Sequence, residues 1–193
     1  MNRDSDIIRC FLALYADLSA LEGIAEYIGC CRGFNSTIKW EHPSQVHITM
    51  KFIGDIERGI MRQIEATLRE RLSGQRILNA RIDKTGAFPN LRNPSIVWVG
   101  FSSALPGVQA LQRIIEDVCE AAGTARERKT FTPHFTIGRV KNYSKIGDLQ
   151  NDLEACSLGS LPVQFEALRI MESTLTPSGA VHKELARIPF LRS

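Results

Sequence analysis

The sequence predicts an α+β protein made of two comparable halves, each an antiparallel sheet backed by helices. Three observations predict it. Apolar residues recur at a spacing of two in some stretches and three to four in others, so strands and helices interleave along the chain. No polar or Pro/Gly-rich run is long enough to separate independent units, so residues 1–193 read as one bilobal domain. And one short phrase is written twice, once in each half: QVHITMKFIG at 45–54 and TPHFTIGRV at 132–140.

The elements follow in order. Residues 7–15 alternate in part and read as a strand. Ser19 opens a helical pattern, with Leu21, Ile24, Ala25 and Ile28 on one face and Glu22 placed as a capping box requires. Residues 46–53 are strand-like, and Asp55 is placed to cap a second helix with Ile60, Ile64 and Leu68 on its apolar face. A strand over 77–85, a turn at GAFPNLRNP and a β-branched, aromatic strand over 95–101 come next. Pro106 starts a third helix with the stripe Val108, Leu111, Ile115 and Val118, and Gly123 ends it. The polar run AGTARERKT reads as an exposed loop. After a strand at 135–140, Ser144 caps a helix bearing Ile146, Leu149 and Leu153. Strands at 163–171 and 181–188 close the chain around a TPSG turn. The sum is four helices and about seven strands.

Composition limits the function classes. With 44% hydrophobic and 23% charged residues the chain is an ordinary globular protein with material for a proper core. No apolar run approaches the roughly 20 residues that cross a membrane. The opening MNRDSDIIRC lacks a signal peptide's apolar core, so a cytoplasmic protein is expected. Five cysteines, odd in number and without a CxxC pair, read as reduced structural thiols rather than a zinc or disulfide framework. A net charge of +3 is too mild for a protein that coats long nucleic acid, so an anionic ligand would be engaged at a small site.

The repeated phrase carries the chemistry. Residues two apart on a strand share a face, so His47 and Thr49 project together, away from Ile48 and Met50. His134 and Thr136 do the same against Phe135 and Ile137. A single H-x-T is more often a surface His beside a β-compatible Thr. Two of only four histidines carry the pattern, each in an apolar strand of a different half. Histidine exchanges protons near neutral pH, and two of them flanking a reacting centre supply a general acid and a general base. Threonine hydroxyls steady charge on anionic oxygen. This is equipment for in-line displacement at phosphorus without a metal. A zinc or two-metal site would want further ligands, and neither phrase contains a carboxylate.

At these residues the chain resembles the 2H phosphoesterase superfamily, named for paired H-x-T-x motifs, and within it the RNA 2′,3′-cyclic phosphodiesterases, also described as 2′-5′ RNA ligases. The likeness extends to RCFLAL, HITMKFIGD, GAFPNLRNPSIVWVG, FTPHFTIGRV and MESTLTPSGAVHKELARIPF, nearly the whole chain. It implies a bilobal, pseudo-twofold fold with two antiparallel sheets flanking a central cleft and helices outside. It also implies His47 as proton donor, His134 as proton acceptor, Thr49 and Thr136 on the phosphate, a 2′-phosphate product and no cofactor. RNA ends or small cyclic nucleotides are the implied partners; separately from the resemblance, a monomer with no membrane partner is expected. Ligation in the same cleft, or a non-catalytic RNA-end binding module, are the alternatives.

Further candidates carry two readings each. Arg139 stands where the family has a phosphate-contacting arginine, yet alternation points it away from His134 unless Gly138 hosts a bulge. Phe11 is either a stacking surface for a nucleobase or plain packing. Trp40, Phe52, Phe88 and Trp98 read as core or rim packing, and His42 and His182, which lack a Thr partner, as surface histidines. Residues before Arg9 read as a loose extension.

Overall fold

The structure, a computed structural model, describes residues 6–34, 37–141, 147–177 and 179–192. Among them are four α-helices and ten strands, in the order β1 (Ile7–Leu14), α1 (Leu18–Phe34), β2 (Ile38–Trp40), β3 (Ile48–Glu57), α2 (Arg58–Arg71), β4 (Leu78–Ile82), β5 (Lys84–Phe88), β6 (Ile96–Gly100), α3 (Pro106–Ala121), β7 (His134–Val140), α4 (Leu149–Ala155), β8 (Leu161–Phe165), β9 (Ala167–Thr176) and β10 (Gly179–Pro189). One four-stranded sheet has the order β10-β9-β1-β3 and a second the order β2-β7-β6-β5; β4 and β8 form a two-stranded sheet. All the strand pairings within them are antiparallel. The α+β class is as expected. The halves share a three-strand unit (β3-β1-β9 against β7-β6-β5) but differ in the fourth strand. β10 extends the outer edge of the first sheet, while β2 lies beside the motif strand of the second.

The strand count exceeds the expected seven because two expected strands divide and the short β2, paired on β7, is an addition the sequence did not indicate. Over 77–85 the break is at Asp83, whose carboxylate takes the backbone N–H and the hydroxyl of Ser102 at 2.8 and 2.6 Å. The turn this fixes sends β4 to pair with β8 and β5 with β6. Over 163–171 the break is at Glu166, whose carbonyl accepts from Phe190 N–H as the chain changes partners. Helix starts also differ. Asp17 accepts from Ala20 N–H at 3.2 Å and so takes the capping role given to Ser19. Asp55 lies inside β3 opposite Arg9, and α2 begins after Glu57 without a side-chain cap. The stripe of α3 is as expected, with Val108, Leu111, Ile115 and Val118 all buried. Ser144 and Ile146 lie outside the described residues, and Asp148 caps α4 by accepting from Asn151 N–H.

A continuous apolar core joins both sheets to the helices, running from Cys10, Leu12 and Leu14 of β1 to Ile48 and Met50 of β3 and Phe135 and Ile137 of β7. The cysteines correct the expectation of five reduced thiols. Cys30, in the last turns of α1, and Cys156, at the end of α4, form a disulfide across a sequence separation of 126 residues. Cys10, Cys31 and Cys119 are free and buried, and burial pushes all three thiols up, Cys10 and Cys119 to about 11. No described helix is long and apolar enough to cross a membrane.

Candidate active site

Each motif strand uses the same local device. Alternation holds through the threonine: Ile48, Met50, Phe135 and Ile137 are buried, and the His and Thr side chains leave the opposite face. Immediately after each threonine the ladder slips by one residue. Ala13 pairs with Thr49 but Leu12 with Lys51, and Trp98 pairs with Thr136 but Val97 with Gly138. Met50 and Ile137 are therefore equivalent bulge residues, and side chains beyond them change face. In β7 the slip turns Arg139 back to the side of His134 and Thr136. Gly138 makes room for it: a Cβ there would stand 2.6 Å from Ile38 Cγ2. In β3 the slip buries Lys51 and exposes Phe52.

The two phrases meet at one cavity of about 600 Å³, lined by His47, Thr49, His134, Thr136, Arg139 and His182, with Lys39, Trp40, Glu41, His42, Gln45 and Gly179–Val181 completing the wall. Both imidazoles are held alike. His47 Nδ1 lies 2.7 Å from the Gln45 carbonyl and His134 Nδ1 2.7 Å from the Thr132 carbonyl. A carbonyl only accepts, so Nδ1 carries the proton in each case. In the neutral ring Nε2 is then the free base. Arg139 Nε donates to Glu41 at 3.0 Å.

Aromatic rings support each imidazole. Phe11 stacks on His47 at 4.9 Å, Tyr15 lies 5.3 Å from it, and His182 meets both Phe11 and His47 edge-on at 4.8 and 5.5 Å. Phe88 meets His134 edge-on at 4.9 Å, with Trp98 behind it at 6.3 Å. The structure decides between the two readings of Phe11 and corrects that of His182. Phe11 is 3% exposed beneath His47 and has no open face for a nucleobase, so it is a packing ring. His182 is a wall residue of the cavity rather than a surface histidine, because the β9–β10 hairpin folds over the first motif. Nothing in its sequence context pairs it with a threonine, and only the register of β10 on β9 reveals it. His42 is exposed as expected, on the cavity rim, where its ring accepts from Ser44 N–H.

Electrostatics of the cavity favour neutral imidazoles. Burial pushes His47 down to about 4, against the Gln45 carbonyl, which raises it; the charge of Arg139, and that of His182 and His134 when protonated, presses it lower. Burial also lowers His134, against the Thr132 carbonyl, and lowers His182, which Glu41 partly restores. An anion between the rings acts in the opposite sense, since it favours the charged form of each. The arrangement is two hydrogen-bonded, tautomer-fixed bases, two hydroxyls and a guanidinium around one cavity. Among the described residues, no three or more His, Cys, Asp or Glu are grouped so as to hold a metal ion.

Known proteins are similar to the chain over most of its length. Curated RNA 2′,3′-cyclic phosphodiesterases of Methanothermobacter thermautotrophicus and Archaeoglobus fulgidus are 30% and 31% identical to the chain. Each alignment covers 92% of it, and 96% and 98% of those proteins respectively. Among solved structures, a Thermus thermophilus protein superposes with a TM-score of 0.78 at 23% identity, covering 95% of this chain and 98% of its own. E. coli LigT complexed with 3′-AMP superposes with a TM-score of 0.73 at 18% identity, covering 96% and 99%. Residues 39–174, which hold both H-x-T phrases, match the 2′-5′ RNA ligase superfamily, and the chain belongs to that family.

Proposed function

We propose that this chain is an RNA 2′,3′-cyclic phosphodiesterase, which opens the cyclic phosphate at RNA ends or on nucleotides to leave a 2′-phosphomonoester. One observation carries the reading: two imidazoles, each fixed through Nδ1 by a carbonyl two residues earlier, line one cavity together with Thr49, Thr136 and Arg139. In the proposed reaction His134 takes a proton from the attacking water and His47 gives one to the departing 3′-oxygen. Thr49 and Thr136 donate hydrogen bonds to the phosphate oxygens, and Arg139 balances their charge. The assignment of donor and acceptor rests on the family resemblance; the hydrogen bonding of the two rings is equivalent. The chain acts as a single bilobal domain, and a monomeric, cytoplasmic enzyme fits a substrate made of RNA ends. Incubation with a 2′,3′-cyclic-phosphate-ended oligonucleotide, followed by identification of the product, tests the proposal. A 2′-phosphate is expected, and a 3′-phosphate or no turnover refutes it.

Two further outcomes are expected. Activity survives exhaustive chelation, because the proposed proton carriers and anion donors are all side chains of the cavity. Loss on chelation with recovery on one added divalent ion would sink the mechanism. The pH profiles should also separate. kcat/KM reports the free enzyme, in which both catalytic imidazoles lie below 6.5, so its maximum should fall on the acid side of 6.5. kcat reports the complex, where the bound phosphate raises both values, so its maximum should lie at higher pH. Coincident maxima, or the reverse order, contradict this account of the cavity.

A further inference from the structure

The match between the two motif strands leaves one position unused by the reaction. Arg139 stands five residues after His134, and its counterpart five after His47 is Phe52. The equivalent bulge turns both to the face of their histidine. Arg139 closes the cavity beside the loop that leads into β3, through its ion pair with Glu41. Phe52 borders the loop that leads into β7, where a second depression of about 460 Å³ is lined by Phe52, Ala125 and Arg126–Lys129. Phe52 is 54% exposed, a large ring open to water. The Arg9 guanidinium lies 4.9 Å from its centroid, held there by Asp55 at 3.3 Å.

The cations of this strip differ in their commitments. Arg126 is spent on Asp117 and Glu120 at 2.8 and 2.6 Å. Among the described residues neither Arg128 nor Lys129 has an ion-pair partner within 4.0 Å, and the one carboxylate in their loop, Glu127, accepts their backbone N–H groups at 2.9 and 3.0 Å. An open aromatic ring with unpaired cations beside it is the equipment for a single-stranded polynucleotide: bases stack on the ring and phosphates meet the cations. The strip starts on the strand that carries the first motif. Three strand positions separate Phe52 from Thr49, which at the strand rise is roughly 10 Å.

Resting on the phosphodiesterase reading, we propose that Phe52, Arg9, Arg128 and Lys129 form a subsite for the body of the RNA strand, so that the preferred substrate is an oligonucleotide end rather than a free cyclic nucleotide. The test compares steady-state kinetics on a 2′,3′-cyclic mononucleotide and on a ten-nucleotide single strand with the same end. Wild type should show the lower KM on the strand. Phe52→Ala should raise the strand's KM by roughly tenfold, the scale of one lost base–aromatic stack, and leave mononucleotide kcat/KM within about twofold. Arg128→Gln with Lys129→Gln should raise the same KM and flatten its dependence on salt. Wild-type enzyme that treats the two substrates alike overturns the subsite. So does a Phe52→Ala variant that retains the wild-type KM on the strand, or that loses activity equally on both. Failure of wild type on both substrates instead removes the phosphodiesterase reading.

Discussion

Replacing His47 or His134 by alanine is expected to lower kcat by roughly two to four powers of ten each, the scale of a lost general acid or base. Both rings are fixed by a carbonyl and braced by aromatic neighbours, so each is held in one orientation for its proton transfer. His182 is the nearest rival, 5.5 Å from His47 by ring centroids. A His47→Ala enzyme that keeps appreciable activity and loses it on further replacement of His182 would transfer the role. The double variant His47→Ala/His134→Ala should lose much less than the product of the single losses, because the pair acts as a unit. Thr49→Ala and Thr136→Ala should each cost about 2 to 3 kcal/mol of transition-state stabilisation, as for one lost donor to a charged oxygen. Near wild-type turnover by His134→Ala would end the two-histidine mechanism.

Lys51→Met is expected to destabilise the fold by about 3 to 5 kcal/mol. The Lys51 ammonium donates to Glu116 at 2.7 Å and to the Ala125 carbonyl at 2.8 Å, and both charged side chains are almost wholly buried, at 2% and 4% exposure. Glu116 also accepts from Gln112 and from Glu127 N–H. Those neutral bonds would remain in the variant without a counter-charge for the carboxylate. The pair fastens the first motif strand to α3 and to the loop that runs on to His134, so the loss should appear in catalysis as well as in denaturant unfolding. Adding Glu116→Leu should recover most of the stability, since removing both charges of a buried pair is close to neutral. It should not recover the hydrogen bond to Ala125. Equal instability of the single and double variants would show that packing, and not the uncompensated charge, dominates the site.

Much was legible in the chain itself. Residue spacing of two placed His47 with Thr49 and His134 with Thr136, and burial of Ile48, Met50, Phe135 and Ile137 agrees with it. Helical spacing located the apolar stripe of α3 without error. These are properties of adjacent residues on one element, which backbone geometry fixes wherever the element sits. What tertiary structure decided is of another kind. The slips after Thr49 and Thr136 depend on pairing with β1 and β6, and they set the faces of Lys51, Phe52 and Arg139. The divisions at Asp83 and Glu166 depend on which distant strand each segment meets. The Cys30–Cys156 bridge joins helices that only the assembled fold brings together. Phe11 became the bed of His47 because β1 pairs with β3, and His182 came to the cavity because β9 and β10 bring the end of the chain back beside that first strand. A local pattern records which way a side chain points from its own strand; what it then meets is set by contacts far apart in sequence.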